Sequence, residues 1–214
     1  MPDSRDDATI RLNRIAIPVG NLGYGRRAVI WVQGCTIACP GCISRHTWNR
    51  KGGEVMMVSE LAELIQLSEL RSGHLDGVTI TGGEPSEQAG AVRTLVGLLR
   101  GDSWLGGARD VLLYSGREWA DLVPLGLTES KLFDAVVAGP YVDALPRQTL
   151  AGSSNQQLVP LTPLGALRYT DSGDRPAPLE GVWDGDQLLL AGISSPADHA
   201  QFRKLLAENG IGVR

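Results

Sequence analysis

The residues of this sequence best suited to metal chemistry are three cysteines in the segment GCTIACPGC. Cys35, Cys39 and Cys42 are the only cysteines of the chain, and their spacing is C-x3-C-x2-C. An odd, tightly grouped set is a poor disulfide framework, and a loop with Pro40 and two glycines does not suit core packing. The spacing favours a [4Fe–4S] cluster, in which three thiolates bind three irons. The fourth iron then lacks a protein ligand and can chelate a small molecule and pass it an electron.

Zinc is the alternative partner of such thiols. A fourth zinc ligand could come from a histidine, and His46 follows Cys42 closely. His74 and His199 lie elsewhere in the chain, and histidines in such positions are more often surface residues than ligands. A zinc site therefore remains an alternative to the iron–sulfur cluster.

A second candidate motif is TITGGEP, which runs from Thr79 to Pro85. The β-branched residues before the glycines predict a short strand. Gly82 and Gly83 let the backbone bend and approach a ligand closely. Glu84 adds a carboxylate suited to a charged amine.

The cysteine spacing and the Gly-Gly-Glu turn together resemble the motifs of radical S-adenosylmethionine (SAM) enzymes. In that family the open iron binds the amino and carboxylate groups of SAM, and one-electron reduction yields methionine and a 5′-deoxyadenosyl radical. The resemblance implies a [4Fe–4S] cluster and SAM as cofactors. It implies the cluster ligands Cys35, Cys39 and Cys42, and SAM contacts from Gly41, Cys42, Ile43, Thr81, Gly82, Gly83, Glu84 and Ser115.

Further stretches resemble the glycyl-radical activating enzymes, above all the activating proteins of anaerobic ribonucleotide reductase. These stretches are GYGRRAVIWVQGCTIACPGCISRHTW, LLYSGRE, FDAVVAGPYVDAL and GSSNQ, so the resemblance covers roughly residues 15–160. It implies that the radical takes a hydrogen from a glycine of a partner protein. It also implies reduced flavodoxin or ferredoxin as the electron donor.

Two departures from the activating enzymes concern the substrate. Ile43-Ser44 stands where they commonly carry His-Asn, and Gln157 stands where they commonly carry Arg. These departures and the long tail leave open a radical SAM enzyme that modifies a peptide or a small molecule. A non-enzymatic metal-binding module is a third possibility, but it leaves the Gly-Gly-Glu turn unexplained.

The elements that must position these motifs alternate between strands and helices. The predicted strands are 28–32, 77–81, 110–115 and 133–138. The predicted helices are 59–67 with Ser59 as its cap, 86–100 with Leu95, Leu98 and Leu99 toward the core, and a short one over 118–122. Residues 1–12 are expected to be frayed. Each motif follows a strand, and ligands bind at the carboxyl ends of parallel strands, so the motifs should meet in one site.

The repeated β-α pattern predicts an α/β fold with a mainly parallel sheet. The pattern alone also suits a doubly wound sheet, whereas the resemblance implies an open, partial (β/α) barrel. We expect residues 1–165 to form the core domain and residues 166–214 to form a small extension packed on it. The extension should comprise a loop over 170–178, a hairpin turning at Asp184-Gly185, and a helix over 196–209 closed by Gly210.

Composition excludes several classes of protein. The 214 residues are 43% hydrophobic and 21% charged, which suits one globular domain and argues against disorder. The net charge of −4 provides no basic field for nucleic acid. No apolar run is long enough for a membrane span, and the first residues carry no signal-peptide core. We expect a cytoplasmic protein without nucleic-acid or membrane partners.

Five other residues have both a functional and a structural interpretation. Arg26 is favoured as a group that neutralises cluster or SAM charge, and Trp48 as a side chain packed under a loop. Asp134 is expected to be a solvated or capping acid. Asn155 and Gln156 suit equally a ligand contact and a hydrogen-bonded turn.

Overall fold

The computed structural model of this protein describes residues 8–101, 104–105, 107–170, 179–184, 187–193 and 196–210. Its main sheet has seven strands: β1 (Thr9–Val19), β2 (Arg27–Val32), β3 (Glu54–Met57), β4 (Gly77–Gly82), β5 (Asp110–Ser115), β6 (Ala135–Ala138) and β7 (Gln157–Pro160). Their order in the sheet is β3-β1-β2-β4-β5-β6-β7. Neighbours from β2 to β6 pair in parallel, whereas β1, β3 and β7 pair antiparallel at the sides. The predicted α/β class with a mainly parallel sheet is confirmed.

Helices α1 (Val58–Ser72) and α2 (Ala89–Gly101) pack against one face of this sheet. Alternate strand residues such as Ile30, Ile80 and Leu113 bury their side chains there, with Leu61 and Leu95 from the helices. The short helices α3 (Trp119–Leu122) and α4 (Pro163–Tyr169) follow β5 and β7. The central strands are apolar on both faces, as expected for parallel strands covered on both sides.

The opposite face of the sheet, here called the inner face, carries the alternate residues Val29, Leu112 and Val137. Part of its cover comes from the C-terminal hairpin, which consists of β8 (Glu180–Asp184) and β9 (Gln187–Ala191). Helix α5 (Pro196–Glu208) follows the hairpin, as predicted. Gly210 follows that helix with φ +75°, the left-handed conformation of a helix C-cap. Gly185 of the predicted turn and residues 171–178 of the predicted loop lie outside the described residues.

The prediction of a frayed N-terminus over residues 1–12 is wrong for residues 9–12, and residues 1–7 lie outside the described residues. Residues 9–12 open β1, which lies between β2 and β3, and Ile10 and Leu12 are buried against the helices. The Arg11 backbone N–H donates to the Gln88 side chain at 2.7 Å. Polar residues alternate with the apolar ones in this segment, so no apolar run indicates a strand. The strands that pair with it, β2 and β3, come later in the chain.

Other element boundaries also differ from the predictions. Ser59 lies inside α1, whose N-cap is Met57 without a side-chain cap, so the predicted cap is wrong. A 3-10 turn over Pro85–Gln88 precedes α2, and β6 begins at Ala135 rather than at residue 133. The short elements β3, β7 and α4 were not predicted. Among the described residues, no helix is long and apolar enough to cross a membrane.

Candidate functional site

The cysteine loop follows β2 and places its three thiols on the wall of one cleft. Cys35, Cys39 and Cys42 are each half-buried, and none forms a disulfide. A tight turn brings them together, since the Cys42 N–H donates to the Cys39 carbonyl at 3.1 Å. Burial raises the pKa of the Cys35 and Cys39 thiols. A bound cation would reverse this, because coordination removes the thiol proton.

Backbone hydrogen bonds hold the start of the loop against the segment that follows it. The Gly34 N–H donates to the Thr47 carbonyl at 2.7 Å, and the Cys35 N–H donates to the Trp48 carbonyl at 3.2 Å. The buried Gln33 amide strengthens this closure by donating to the Asn49 carbonyl at 2.7 Å. The three thiols therefore lie on a closed loop.

Glu87 is a loop-anchoring residue that the sequence analysis missed. One of its carboxylate oxygens accepts hydrogen bonds from the Thr36 N–H and the Thr36 hydroxyl, both at 2.6 Å. Glu87 lies three residues after Glu84 in the 3-10 turn, and that spacing is the one signal that could have indicated it. Its carboxylate connects the Gly-Gly-Glu segment to the cysteine loop.

The Gly-Gly-Glu turn lies directly against the backbone of β2. The Gly83 N–H donates to the Val32 carbonyl at 2.8 Å, and the Glu84 N–H donates to the Gly34 carbonyl at 2.7 Å. A Cβ at Gly83 would lie 2.2 Å from the Gly34 oxygen. Gly82 has φ +111°, and a Cβ there would also meet the β2 backbone. The glycines therefore allow two chain segments to touch, a role that the sequence analysis did not foresee.

The Glu84 carboxylate is buried, with 1% exposure, and is already hydrogen-bonded within the chain. One oxygen accepts from the Ser115 hydroxyl at 2.6 Å and from the Ser86 N–H at 2.9 Å. The other accepts from the Gly116 N–H at 2.8 Å. A carboxylate has about four acceptor positions, so one position is left for a ligand amine. Glu84 therefore joins the ends of β4 and β5 as well as facing the cleft.

The cleft has a volume of about 200 Å³ and lies at the carboxyl ends of the parallel strands. All but one of the expected site residues line it: Cys35, Cys39, Cys42, Ile43, Thr81, Gly82, Gly83, Glu84 and Ser115. Gly41 does not. It lines a neighbouring pocket with Arg45 and Arg203, which shares Cys42 and Ile43 with the cleft. A Cβ at Gly41 would meet the Asp143 side chain.

Several cleft residues were not named as SAM contacts by the sequence analysis. They are mainly apolar or aromatic: Leu22, Trp31, Ile37, Tyr114, Tyr141 and Ile193. Burial and a hydrogen bond to Asp143 raise the pKa of Tyr141 to about 12, so this phenol stays protonated. Trp31 and Tyr114 occupy strand ends in β2 and β5, and that position was the signal that could have indicated them.

The structure shows which of the residues with two interpretations line the cleft. Trp48 and Gln156 line the cleft, and His46 does not. Arg26 does not line it either; this residue immediately precedes β2, and its backbone N–H donates to Asp76 at 2.8 Å. The expectation that Arg26 neutralises cluster or SAM charge is therefore not supported by its position.

Asp134 was expected to be a solvated or a capping acid; it is buried, with 4% exposure, so the solvated role is wrong. Its carboxylate accepts from the Val111 N–H at 2.8 Å, from Arg100 at 2.7 Å and from Thr162 at 2.7 Å. It thus connects β5, α2 and the start of α4. The sequence does not bring these groups together, and only the fold does.

The GSSNQ segment folds onto the turn that follows β6. Asn155 donates to the Pro140 carbonyl at 2.8 Å, and Gln156 donates to the Gly139 carbonyl at 2.8 Å. The Gln156 oxygen accepts from the Gly152 N–H at 2.7 Å. Both residues therefore support the turn interpretation, and Gln156 also faces the cleft.

The donor set suits an iron–sulfur cluster. Three thiols on one closed loop face one cleft, and thiolate sulfur is the usual protein ligand of such clusters. Within the described part of the chain, no group of three or more His, Cys, Asp or Glu side chains is arranged to hold a single metal ion.

Comparison with known proteins decides between the remaining alternatives. The pattern of the 4Fe-4S single cluster domain family matches residues 21–159. The chain belongs to this family. It is 32% identical over 142 residues to the anaerobic ribonucleoside-triphosphate reductase-activating protein of Enterobacteria phage T4, which covers 64% of this chain and 85% of the relative. To the protein of that description from Escherichia coli K12 it is 27% identical over 139 residues, 63% of this chain and 88% of the relative.

A second kind of relative matches a shorter stretch. The pyruvate formate-lyase 1-activating enzyme of Escherichia coli K12 is 36% identical over 72 residues, 33% of this chain and 29% of that enzyme. As a member of the 4Fe-4S single cluster domain family with activating enzymes as relatives, the chain is a radical SAM enzyme. The expected cofactors, a [4Fe–4S] cluster and SAM, are confirmed. The alternatives of a zinc site and of a non-enzymatic metal-binding module are therefore excluded.

Proposed function

We propose that this enzyme generates a glycyl radical on a partner protein similar to anaerobic ribonucleotide reductase. The observation that carries the proposal is the meeting of the cysteine loop and the Gly-Gly-Glu turn in one cleft. The chain also spans 85% of the length of a relative named as an activating protein of such a reductase. A glycyl-radical enzyme is accordingly the partner class that these relatives indicate.

Cys35, Cys39 and Cys42 would hold the cluster, since they are half-buried thiols that share the cleft. When bound, the cluster supplies one electron that cleaves SAM to methionine and a 5′-deoxyadenosyl radical. The open acceptor position of Glu84 would receive the charged amine of SAM, while Ser115 and Gly116 keep the carboxylate oriented. Backbone of Gly82 and Gly83, with Thr81 and Ile43, would form the adjoining walls. Gly41 would act by shaping the turn between Cys39 and Cys42.

A protein substrate suits the surroundings of the cleft. Ile43 lines it with 36% of its surface exposed, and Val142 and Leu145, in the loop after Tyr141, are also exposed. Apolar side chains exposed together at a cleft are typical of protein-binding surfaces. A partner that covers them would also exclude water from the radical.

The finer architecture belongs to the same proposal. We assign the sheet to the open, partial (β/α) barrel type, because among the described residues it has two free edge strands, β3 and β7, and both longer helices of the core, α1 and α2, pack on one face. Residues 1–165 would be the core domain and 166–214 a packed extension. Reduced flavodoxin or ferredoxin is the proposed electron donor, and the cytoplasm the proposed location.

The decisive experiment uses protein that is reconstituted with iron and sulfide without oxygen. We expect roughly four irons per chain, an EPR signal that changes with SAM, and 5′-deoxyadenosine after reduction. Incubation with a co-encoded glycyl-radical protein should produce a glycyl radical signal in that partner. Cys39→Ala is the matched control and should lose the cluster and both products.

A second candidate is a radical SAM enzyme with a different substrate. It is favoured by the position of Ile43 and Ser44, which depart from the activating enzymes and both line the cleft. Formation of 5′-deoxyadenosine without any radical on the glycyl-radical protein would select it. An iron-loaded protein that neither binds nor cleaves SAM would contradict both candidates.

A further inference from the structure

The segment after the family match reaches the cleft. The match ends at residue 159, whereas Gly192 and Ile193 line the cleft directly after β9. Nothing in the family pattern therefore describes this part of the wall. The residues that follow the hairpin therefore contribute to the wall of the cleft.

Hydrogen bonds attach the segment to the core from two separate loops. The Asn21 side chain donates to the Ala191 carbonyl at 2.8 Å, and the Gly20 N–H donates to the Glu180 carboxylate at 2.7 Å. From the loop after β6, Arg147 donates to the Ile193 carbonyl at 3.3 Å and pairs with Asp198 at 2.5 Å. The backbone around Ile193 is thus held on both sides.

The Ile193 side chain packs against both apolar clusters of the inner face. One cluster contains Val19 and Val29, and the other contains Leu112 and Val137. Because the two clusters lie on opposite halves of the sheet, Ile193 spans the inner face between them. It forms part of the apolar lining of the cleft.

The residues that line the cleft fall into two chemical groups. The three thiols lie near the Glu84 carboxylate, which acts electrostatically on Cys35 and Cys39. The residues of the second group belong to or pack against the two apolar clusters of the inner face: Leu22, Trp31, Tyr114 and Ile193. SAM has a similar division, with a charged amino-acid part and a nucleoside whose adenine ring is planar. If the amino-acid part lies at the thiols, as the proposed function requires, the nucleoside is left for the apolar group, because planar rings favour apolar and aromatic contacts.

We propose that Ile193, supplied by the C-terminal extension, is a ligand-contacting residue that holds the nucleoside part of SAM. This inference rests on the proposed use of SAM. It goes beyond the family match because the residue lies outside that match. It predicts that changes of Ile193 weaken binding of the nucleoside half of SAM and leave binding of the amino-acid half unchanged.

The test measures binding to the reconstituted, cluster-loaded protein by equilibrium dialysis. The probes are SAM, 5′-deoxyadenosine and L-methionine, and the variants are Ile193→Trp, Ile193→Ala and Ile193→Val. Ile193→Trp should fill the apolar part of the cleft and raise the Kd for SAM and 5′-deoxyadenosine at least tenfold. Ile193→Ala should raise both about threefold to tenfold by removing apolar contact. The Kd for methionine should stay within about twofold in every variant.

Controls distinguish a local effect from loss of structure. Leu205→Ala, at a half-exposed residue of α5 that does not line the cleft, should bind all three probes like the parent protein. Iron content and circular dichroism report whether each variant is folded, and Ile193→Val serves if the larger changes prevent folding. That variant should weaken nucleoside binding slightly and leave methionine binding unchanged.

The outcomes separate this inference from the proposed function. Unchanged nucleoside binding in Ile193→Trp, or equal weakening of methionine, would overturn the role of Ile193 while leaving the enzyme a SAM enzyme. Absence of SAM binding in the parent protein would instead contradict the proposed function. Selective loss of nucleoside binding supports the inference.

Discussion

At the scale of single residues, Glu84 shows how one side chain can have a structural and a chemical role. The motif predicts a carboxylate for an amine, and the structure places that carboxylate in the cleft. It also uses three acceptor positions for Ser115, Ser86 and Gly116. Because the group is buried, its hydrogen bonds contribute more than surface bonds would.

The link between Glu84 and Ser115 can be measured by a double-mutant cycle. Ser115→Ala should lower the free energy of unfolding by about 1 kcal/mol, and Glu84→Gln by about 1–3 kcal/mol, because acceptors become unsatisfied or are replaced by donors. Urea unfolding of the anaerobic protein measures both. The double variant should show a coupling energy of about 0.5–3 kcal/mol. Simple additivity of the two effects would contradict a direct link.

At the scale of elements, the cysteine loop and the Gly-Gly-Glu turn form one unit. Each follows a parallel strand, and the backbones of Gly34 and Gly83 meet without side chains between them. Glu87 adds a second connection through Thr36. The geometry of the thiols therefore depends on a turn that contains no cluster ligand.

Gly83→Ala tests this dependence. A Cβ would lie 2.2 Å from a backbone oxygen that cannot move aside freely, so the turn and the loop should separate. We expect iron loading after reconstitution to fall severalfold, with a lower Tm. Gly90→Ala is the matched control, since nothing lies within 4 Å of its Cβ position in α2, and it should stabilise by about 0.5–1 kcal/mol. Normal iron loading in Gly83→Ala would refute the dependence.

At the scale of the whole molecule, a buried ionic network holds the N-terminal ends of the parallel strands, at the end of the sheet away from the cleft. Arg27 pairs with Asp110 at 3.0 Å with both side chains fully buried, and Arg168 of α4 pairs with the same carboxylate. The Tyr169 hydroxyl donates to Asp110 at 2.5 Å. The network thus attaches α4 to the N-terminal ends of β2 and β5, whereas the cysteine loop follows the carboxyl end of β2.

Asp110 gives the molecule a predictable acid sensitivity. Burial alone would raise the pKa of Asp110, but Arg27, Tyr169 and Arg168 outweigh it and hold the pKa below its ordinary value. A lowered pKa contributes stability above the ordinary value of roughly 4, and the contribution is lost as the pH falls through the folded pKa.

Asp110→Asn should therefore lower the free energy of unfolding at pH 7 by about 3–5 kcal/mol, because it leaves a buried arginine charge without its partner. The variant should also lose less stability between neutral pH and pH of about 3 than the parent protein does. Urea unfolding over this pH range measures both effects. Glu63→Gln, at an exposed residue of α1, is the control and should change stability by less than about 0.5 kcal/mol. Equal acid sensitivity in parent and Asp110→Asn would argue against the network.

The central strands were predictable because their signal is local. Buried parallel strands appear in the sequence as short apolar runs, and β4 and β5 match their predicted bounds to within one residue. Strand β1 was not predictable in this way. Its residues form hydrogen bonds with segments far along the chain. The Arg11 backbone N–H, for example, donates to the Gln88 side chain.

The sequence by itself determined the chemistry of this protein, because thiol ligands on one short loop and a glycine-glycine-glutamate turn are set by neighbouring residues. Only the tertiary structure decided how these pieces are held. The acceptors used by Glu84, the contact of Gly83 with Gly34 and the position of Ile193 all join residues far apart in the chain. Such contacts depend on which faces pack together, and a periodic pattern of apolar residues specifies the face but not its partner.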